Sequence, residues 1–140
     1  MVLIDANQTP AVDARRQKPQ WVHHDELPAF SAVPGITLRV VAGERLMTAW
    51  IRMAPNTTLP VHDHHHEQLG VLVEGALTLT IDGETRSLHP GHAYTIPSHL
   101  PHGGQTGEEG CLLIESFSPP RDDYLAHAEA ALAASDRKPR

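Results

Sequence analysis

From Thr37 onward, short apolar runs alternate with clusters of glycine, proline, asparagine and aspartate. TLRVVAG and LMTAWIRM come first, then APNTTLP, and VLVEGALTLTIDGETRSL follows a histidine-rich stretch. In that last segment Leu77, Leu79 and Ile81 share one face of an extended chain, and Thr78 and Thr80 share the other. Asp82-Gly83 sits between the two arms, and alternation at a period of two around Asp-Gly predicts a β-hairpin. HPGH (His89 to His92) marks another turn, AYTIP a strand, SHLPHGG a loop and CLLIESFS (Cys111 to Ser118) a last strand. Short strands at this spacing, punctuated by glycine and proline, predict an all-β sandwich or barrel. No internal repeat is evident, so one barrel is expected.

The pattern changes after Pro119-Pro120. RDDYLAHAEAALAAS predicts a helix, with proline before its start, aspartates in its first turn and many alanines. Leu125, Ala128 and Leu132 are expected to face the barrel. At the other end, residues 1 to about 20 are polar and carry two prolines, the composition of a loose arm. The expected organisation is an N-terminal arm over 1–20, a barrel over 21–120, a helix over 121–135 and a tail over 136–140.

Composition narrows the partners. A chain of 140 residues is one domain by length and long enough to bury a core without disulfides. A formal net charge of −6, with no basic cluster or aromatic ladder, argues against a nucleic-acid partner. Cys111 is the only cysteine, so an intramolecular disulfide is excluded. The N-terminus lacks the basic start and apolar run of a signal peptide, and no stretch is long enough to span a membrane. A cytoplasmic protein without a membrane partner is expected.

Of the eleven histidines, eight lie between His62 and His102. The densest run is VHDHHHEQ, Val61 to Gln68. If this run is extended, His62, His64, His66 and Gln68 point to one face, and Asp63, His65 and Glu67 to the other. The following VLV reads as a buried strand, so the polar set enters an apolar barrel. Unpaired buried imidazoles are costly, and a divalent metal would satisfy several together. The competing reading is a solvated turn; clustering of ligand types on one face favours the metal.

The segment resembles the first motif of the cupins: HxH, three or four residues, Glu or Gln, six residues, Gly. Here that is His62, His64, Gln68 and Gly75, with Glu67 one residue too early. The second cupin motif is matched by Gly91, Pro97, His99, His102 and Thr106. His99 stands in place of a glycine, Thr106 in place of an asparagine, and Asn56 where the first motif often opens with glycine. The resemblance covers about residues 36 to 120. It implies a jelly-roll barrel with a metal held by His62, His64, Gln68 and His102. Three imidazoles and an amide oxygen carry no negative charge, so the cation would remain a strong Lewis acid and anion trap. Nickel, zinc, iron, manganese and copper all suit such a set. His66 and His99 are extra candidates for a fifth ligand, a group orienting a ligand from behind, or a proton shuttle, set against exposed loop histidines. His65, His89 and His92 read as surface residues.

Cupins host isomerases, lyases, dioxygenases, cyclases and sugar-binding regulators, so the fold alone decides no activity. IESFSPPRDDYL narrows the choice. With HxHxHEQ it is similar to the small single-domain cupins that act on unsaturated uronates in pectin and alginate breakdown (the KdgF type). Their last strand carries an acidic residue, usually Asp, then Phe, then Arg; this chain has Glu115, Phe117 and Arg121. The resemblance implies ring opening of a 4,5-unsaturated uronate to its linear keto form. Glu115 would be the acid/base and Arg121 the carboxylate clamp. The competing structural reading makes Glu115 and Arg121 a surface ion pair. Two alternatives stay open: another metal-dependent cupin enzyme (dioxygenase, lyase or polyketide-type cyclase), and a non-catalytic small-ligand binding protein. Trp21, Val22 and Leu27 of the N-terminal region are candidates for the contact of a homodimer.

Overall fold

The protein is described by a computed structural model over residues 18–136. Ten strands run in chain order: β1 (Phe30–Val33), β2 (Ile36–Ala42), β3 (Met47–Met53), β4 (Thr58–His62), β5 (Glu67–Gly75), β6 (Leu77–Ile81), β7 (Glu84–Leu88), β8 (Ala93–Ile96), β9 (His102–Gln105) and β10 (Cys111–Ser118). A helix, α1 (Asp122–Asp136), follows. The strands form two antiparallel sheets, of six in the order β1-β2-β3-β10-β5-β8 and of four in the order β4-β9-β6-β7. No strand ladder passes between them. The jelly roll is therefore two facing sheets, not a closed barrel.

Side-chain alternation explains which faces meet. β10 alternates without a break: Cys111, Leu113, Glu115 and Phe117 are buried, and the residues between them are half-buried. It lies between β3 and β5, paired along its length with both. From β3, Met47, Ala49, Ile51 and Met53 point inward, and Leu72, Leu77 and Leu79 join them from β5 and β6. Each such aliphatic or aromatic side chain contributes about 1.5–3 kcal/mol of burial. The expected Asp82-Gly83 hairpin joins β6 and β7, with both turn residues at positive φ (48° and 81°).

Two local expectations are corrected. The histidine run is not one extended strand. β4 ends at His62, Asp63 to His66 make an irregular corner, and β5 begins at Glu67. That corner carries the chain from the small sheet to the large one. In α1 the packed face is Tyr124, Leu125, Ala128 and Ala131, while Leu132 stands 51% exposed at its edge.

The arm expected over 1–20 and the tail over 136–140 lie largely outside the described residues. Where description begins, the Gln20 amide donates to the Ala42 carbonyl at 2.8 Å. Residues 24–26 form a 3-10 turn. The Arg39 guanidinium donates to the carbonyls of His24, Asp25 and Leu27, holding this turn against β2.

Candidate metal centre

His62 and His102 are direct cross-strand partners on β4 and β9 of the small sheet. Their ring centroids lie 4.3 Å apart. His64 reaches them from the corner, its ring 5.0 Å from that of His102. One ring nitrogen from each of these three histidines lies within 4.8 Å of the others. Gln68 comes from β5 of the opposite sheet, and its Oε1 lies 3.0 Å from His64 Nε2. The four residues of the first and second motifs thus meet between the sheets.

The hydrogen bonds assign the tautomers. His62 Nδ1 is 2.9 Å from the Pro60 carbonyl, His64 Nδ1 is 3.1 Å from the His66 carbonyl, and His102 Nδ1 is 2.8 Å from the Leu100 carbonyl. A carbonyl only accepts, so each Nδ1 carries the proton and each Nε2 presents a lone pair. His102 Nε2 is buried with no hydrogen-bond partner. His64 Nε2 faces the Gln68 oxygen, acceptor against acceptor. Burial pushes the His102 imidazole down to about 4, opposed by its bond to Leu100 and reinforced by His62 and His64. Burial, then the Arg121 charge, lowers His64 as well. Neutral imidazoles with converging lone pairs beside an amide oxygen fit a divalent cation.

His66 does not join this group. Its ring packs on His65 at 3.9 Å, its Nδ1 is buried without a partner, and only its backbone carbonyl serves His64. His99 is exposed and lies 3.7 Å from the Asp63 carboxylate. His65, His89 and His92 are exposed, as expected. Another cluster, His23, His24 and Asp25, is exposed, and there His23 Nδ1 accepts the Asp25 N–H and caps the turn.

The departures from the motifs have local reasons. Asn56 and His99 both have positive φ (53° and 66°), where glycine is easiest and asparagine and histidine are among the tolerated alternatives. Gly75 also has positive φ, and a Cβ there would lie 2.1 Å from the Gly110 carbonyl oxygen. Thr106 is buried. Its hydroxyl donates to the Ala54 carbonyl at 2.7 Å and accepts the Thr57 N–H at 2.9 Å. It ties the start of β4 to the end of β9.

Glu115 and Arg121 do not form the surface ion pair of the competing reading. Glu115 is 6% exposed. Its carboxylate accepts from the Gln68 amide on one oxygen and from the Tyr94 hydroxyl on the other. Burial pushes its carboxyl up to about 7, against the two hydrogen bonds and the Arg121 charge. Arg121 instead grips Asp123 through Nε at 3.1 Å and Nη2 at 2.8 Å. Its guanidinium carbon sits 3.8 Å from the Tyr124 ring centroid and 5.2 Å from that of Phe117. Glu115, Arg121, Gln68, His62 and His102 line one cavity of about 50 Å³, together with aliphatic side chains such as Ile36, Leu38 and Leu113. Tyr94, which the motifs do not mark, lines it too. The only sequence signal for it was the alternation in AYTIP that puts Tyr94 and Ile96 on one face.

Residues 49–117 match the family model described as cupin domain. The pectin degradation protein KdgF of Dickeya dadantii is 33% identical over 103 residues, covering 72% of this chain and 94% of that protein. This chain belongs to the cupins. Among solved structures, KdgF from a Halomonas species has a TM-score of 0.71 and 31% identity, covering 76% of this cupin and 99% of that chain. The polyketide cyclase RemF of Streptomyces resistomycificus has a TM-score of 0.66 and 26% identity, covering 75% and 82%. The resemblance to the KdgF type read from the motifs is therefore shown.

Proposed function

We propose that this cupin is a metal-dependent isomerase that opens the ring of a 4,5-unsaturated uronate and converts it to the linear keto form. The observation that carries the reading is the Glu115 carboxyl, buried beside three converging imidazole lone pairs. A divalent cation held by His62, His64, His102 and Gln68 would supply Lewis acidity toward a carboxylate or hydroxyl oxygen.

The chain's own groups supply the rest. Ring opening breaks the bond between C1 and the ring oxygen, and the C1 hydroxyl loses its proton. The enol left at C5 becomes a ketone as C4 gains a proton, so atoms balance without a co-reactant. Glu115 moves that proton, and a carboxyl held up to about 7 both accepts and returns one near neutrality. Arg121 binds the substrate carboxylate by exchanging it for Asp123. Phe117 and Tyr124 pack against the Arg121 guanidinium and line the same cavity.

A second reading is a polyketide-type cyclase, favoured by the aliphatic lining of the cavity and by the likeness to RemF. In our reading a protein of either kind is a homodimer, and for the uronate isomerase the substrate is small and anionic; the exposed Trp21 (92%), Leu69 (51%) and Val73 (39%) offer apolar contact area.

The test is the ultraviolet absorbance of a freshly generated unsaturated monouronate. Metal-loaded protein should speed loss of the conjugated double bond, and a chelator should stop it. No acceleration by protein shown to contain metal would reject the uronate reading, leaving cyclase substrates, oxygen consumption and ligand binding without turnover to be assayed.

A further inference from the structure

Three strands of the large sheet carry one row of residues: Tyr94 on β8, Gly70 on β5 and Glu115 on β10. Gly70 is paired with Tyr94 on one side and with Glu115 on the other. Tyr94 and Glu115 are therefore two strand spacings apart, roughly 9–10 Å at the backbone. Their side chains nevertheless meet, because Gly70 leaves the space between them open. A Cβ on Gly70 would lie 2.4 Å from both Cζ and the hydroxyl of Tyr94. The phenol lies across the glycine, half-buried, and its hydroxyl donates to Glu115 Oε1.

The other Glu115 oxygen, Oε2, accepts from Gln68 Nε2. An amide has one donor end and one acceptor end. With its nitrogen held by Glu115, Gln68 must turn Oε1 toward His64 Nε2, where it is found at 3.0 Å. Released from Glu115, the amide could rotate and present N–H groups, which repel a cation.

We propose that Tyr94, lodged over Gly70, positions the Gln68 amide oxygen as a metal ligand, acting through Glu115. The inference rests on the metal-centre part of the proposed function and not on the uronate. It gives Glu115 a task besides proton transfer.

The experiment is cobalt(II) titration of the metal-stripped full chain, read by competition with a chromophoric chelator and by the visible ligand-field spectrum. Tyr94→Phe keeps the ring and removes only the hydroxyl. It is expected to weaken cobalt binding about tenfold, the lower end for a group supporting a ligand from behind, and to shift the visible bands. Glu115→Gln, which can offer the amide a donor as readily as an acceptor, is expected to do the same. In a Gln68→Ala background Tyr94→Phe should have no further effect, since its target is gone. An equal loss in both backgrounds, or an unchanged affinity and spectrum in Tyr94→Phe, would overturn the inference alone. A parent protein that takes up no cobalt would overturn the metal reading and this inference with it.

Discussion

At the scale of single residues, the candidate centre is a problem in donors and acceptors. Backbone carbonyls fix the outer nitrogen of His62, His64 and His102, and the inner nitrogens are left as lone pairs. Protons compete for the same lone pairs, which sets a pH dependence. Folded His102 resists protonation down to about 4, whereas unfolded imidazole takes its proton near 6.5. The unfolded chain then binds more protons in that window, so stability falls as pH drops through it. Glu115 acts in the opposite sense: its folded value of about 7 against 4.5 means that stability falls as pH rises through that range. His64 and His66 shift in the same direction as His102, so the histidines prevail below pH 6.5. The melting temperature of metal-stripped protein should therefore rise with pH from about 4 to 6.5, and Glu115→Gln should steepen that rise. Thr106→Val keeps the shape of the side chain but removes two buried hydrogen bonds. It should cost about 1–3 kcal/mol in denaturant unfolding, with cobalt affinity little changed.

At the scale of elements, the corner between β4 and β5 decides the geometry. A straight strand would have placed His62, His64 and His66 in one row. The bend keeps the first two at the centre and sends the His66 ring against His65. Gly75 closes the same strand against the Gly110 carbonyl at a left-handed φ. Gly75→Ala combines that backbone cost with a backbone clash. It is expected to lose at least 3 kcal/mol in chemical denaturation, beyond the range of most single substitutions. The first turn of α1 holds Arg121, which lines the cavity, through Asp123. In the proposed reaction the substrate carboxylate competes with that partner. Asp123→Asn should therefore lower KM for an anionic substrate several-fold and leave kcat little changed, as steady-state kinetics would show.

At the scale of the whole molecule, the two sheets are joined at this centre by side chains, since no backbone ladder links them. His62 and His102 belong to one sheet and Gln68 to the other, so a cation between them ties the sheets. At a free concentration one hundred times its Kd, such a cation adds about 2.7 kcal/mol of stability. Chelation should lower the melting temperature correspondingly, and His102→Ala should remove the effect of chelator. The apolar residues left exposed predict self-association: light scattering should give twice the chain mass of 15.3 kDa. A monomer mass at micromolar concentration would exclude the homodimer.

The sequence by itself determined the hairpin, the family and most of the strands after Thr37, because each rests on local order. Period-two alternation, Asp82-Gly83 and the spacing of His62, His64, Gln68 and His102 are all properties of short stretches. Parity puts Glu115 on one face of β10 with Leu113 and Phe117, but only the fold decided that this face is buried. What only the tertiary structure decided involves residues far apart in the chain. Glu115 meets Gln68 across 47 positions and Tyr94 across 21. Gly70 has no side chain to advertise its part, and Tyr94 reads as an ordinary strand aromatic. Arg121 found Asp123 and not Glu115, because a guanidinium at a helix start reaches a first-turn carboxylate more easily than one buried between sheets. Local pattern fixes which way a side chain points; the sheet order β10-β5-β8 fixes which side chains it meets there.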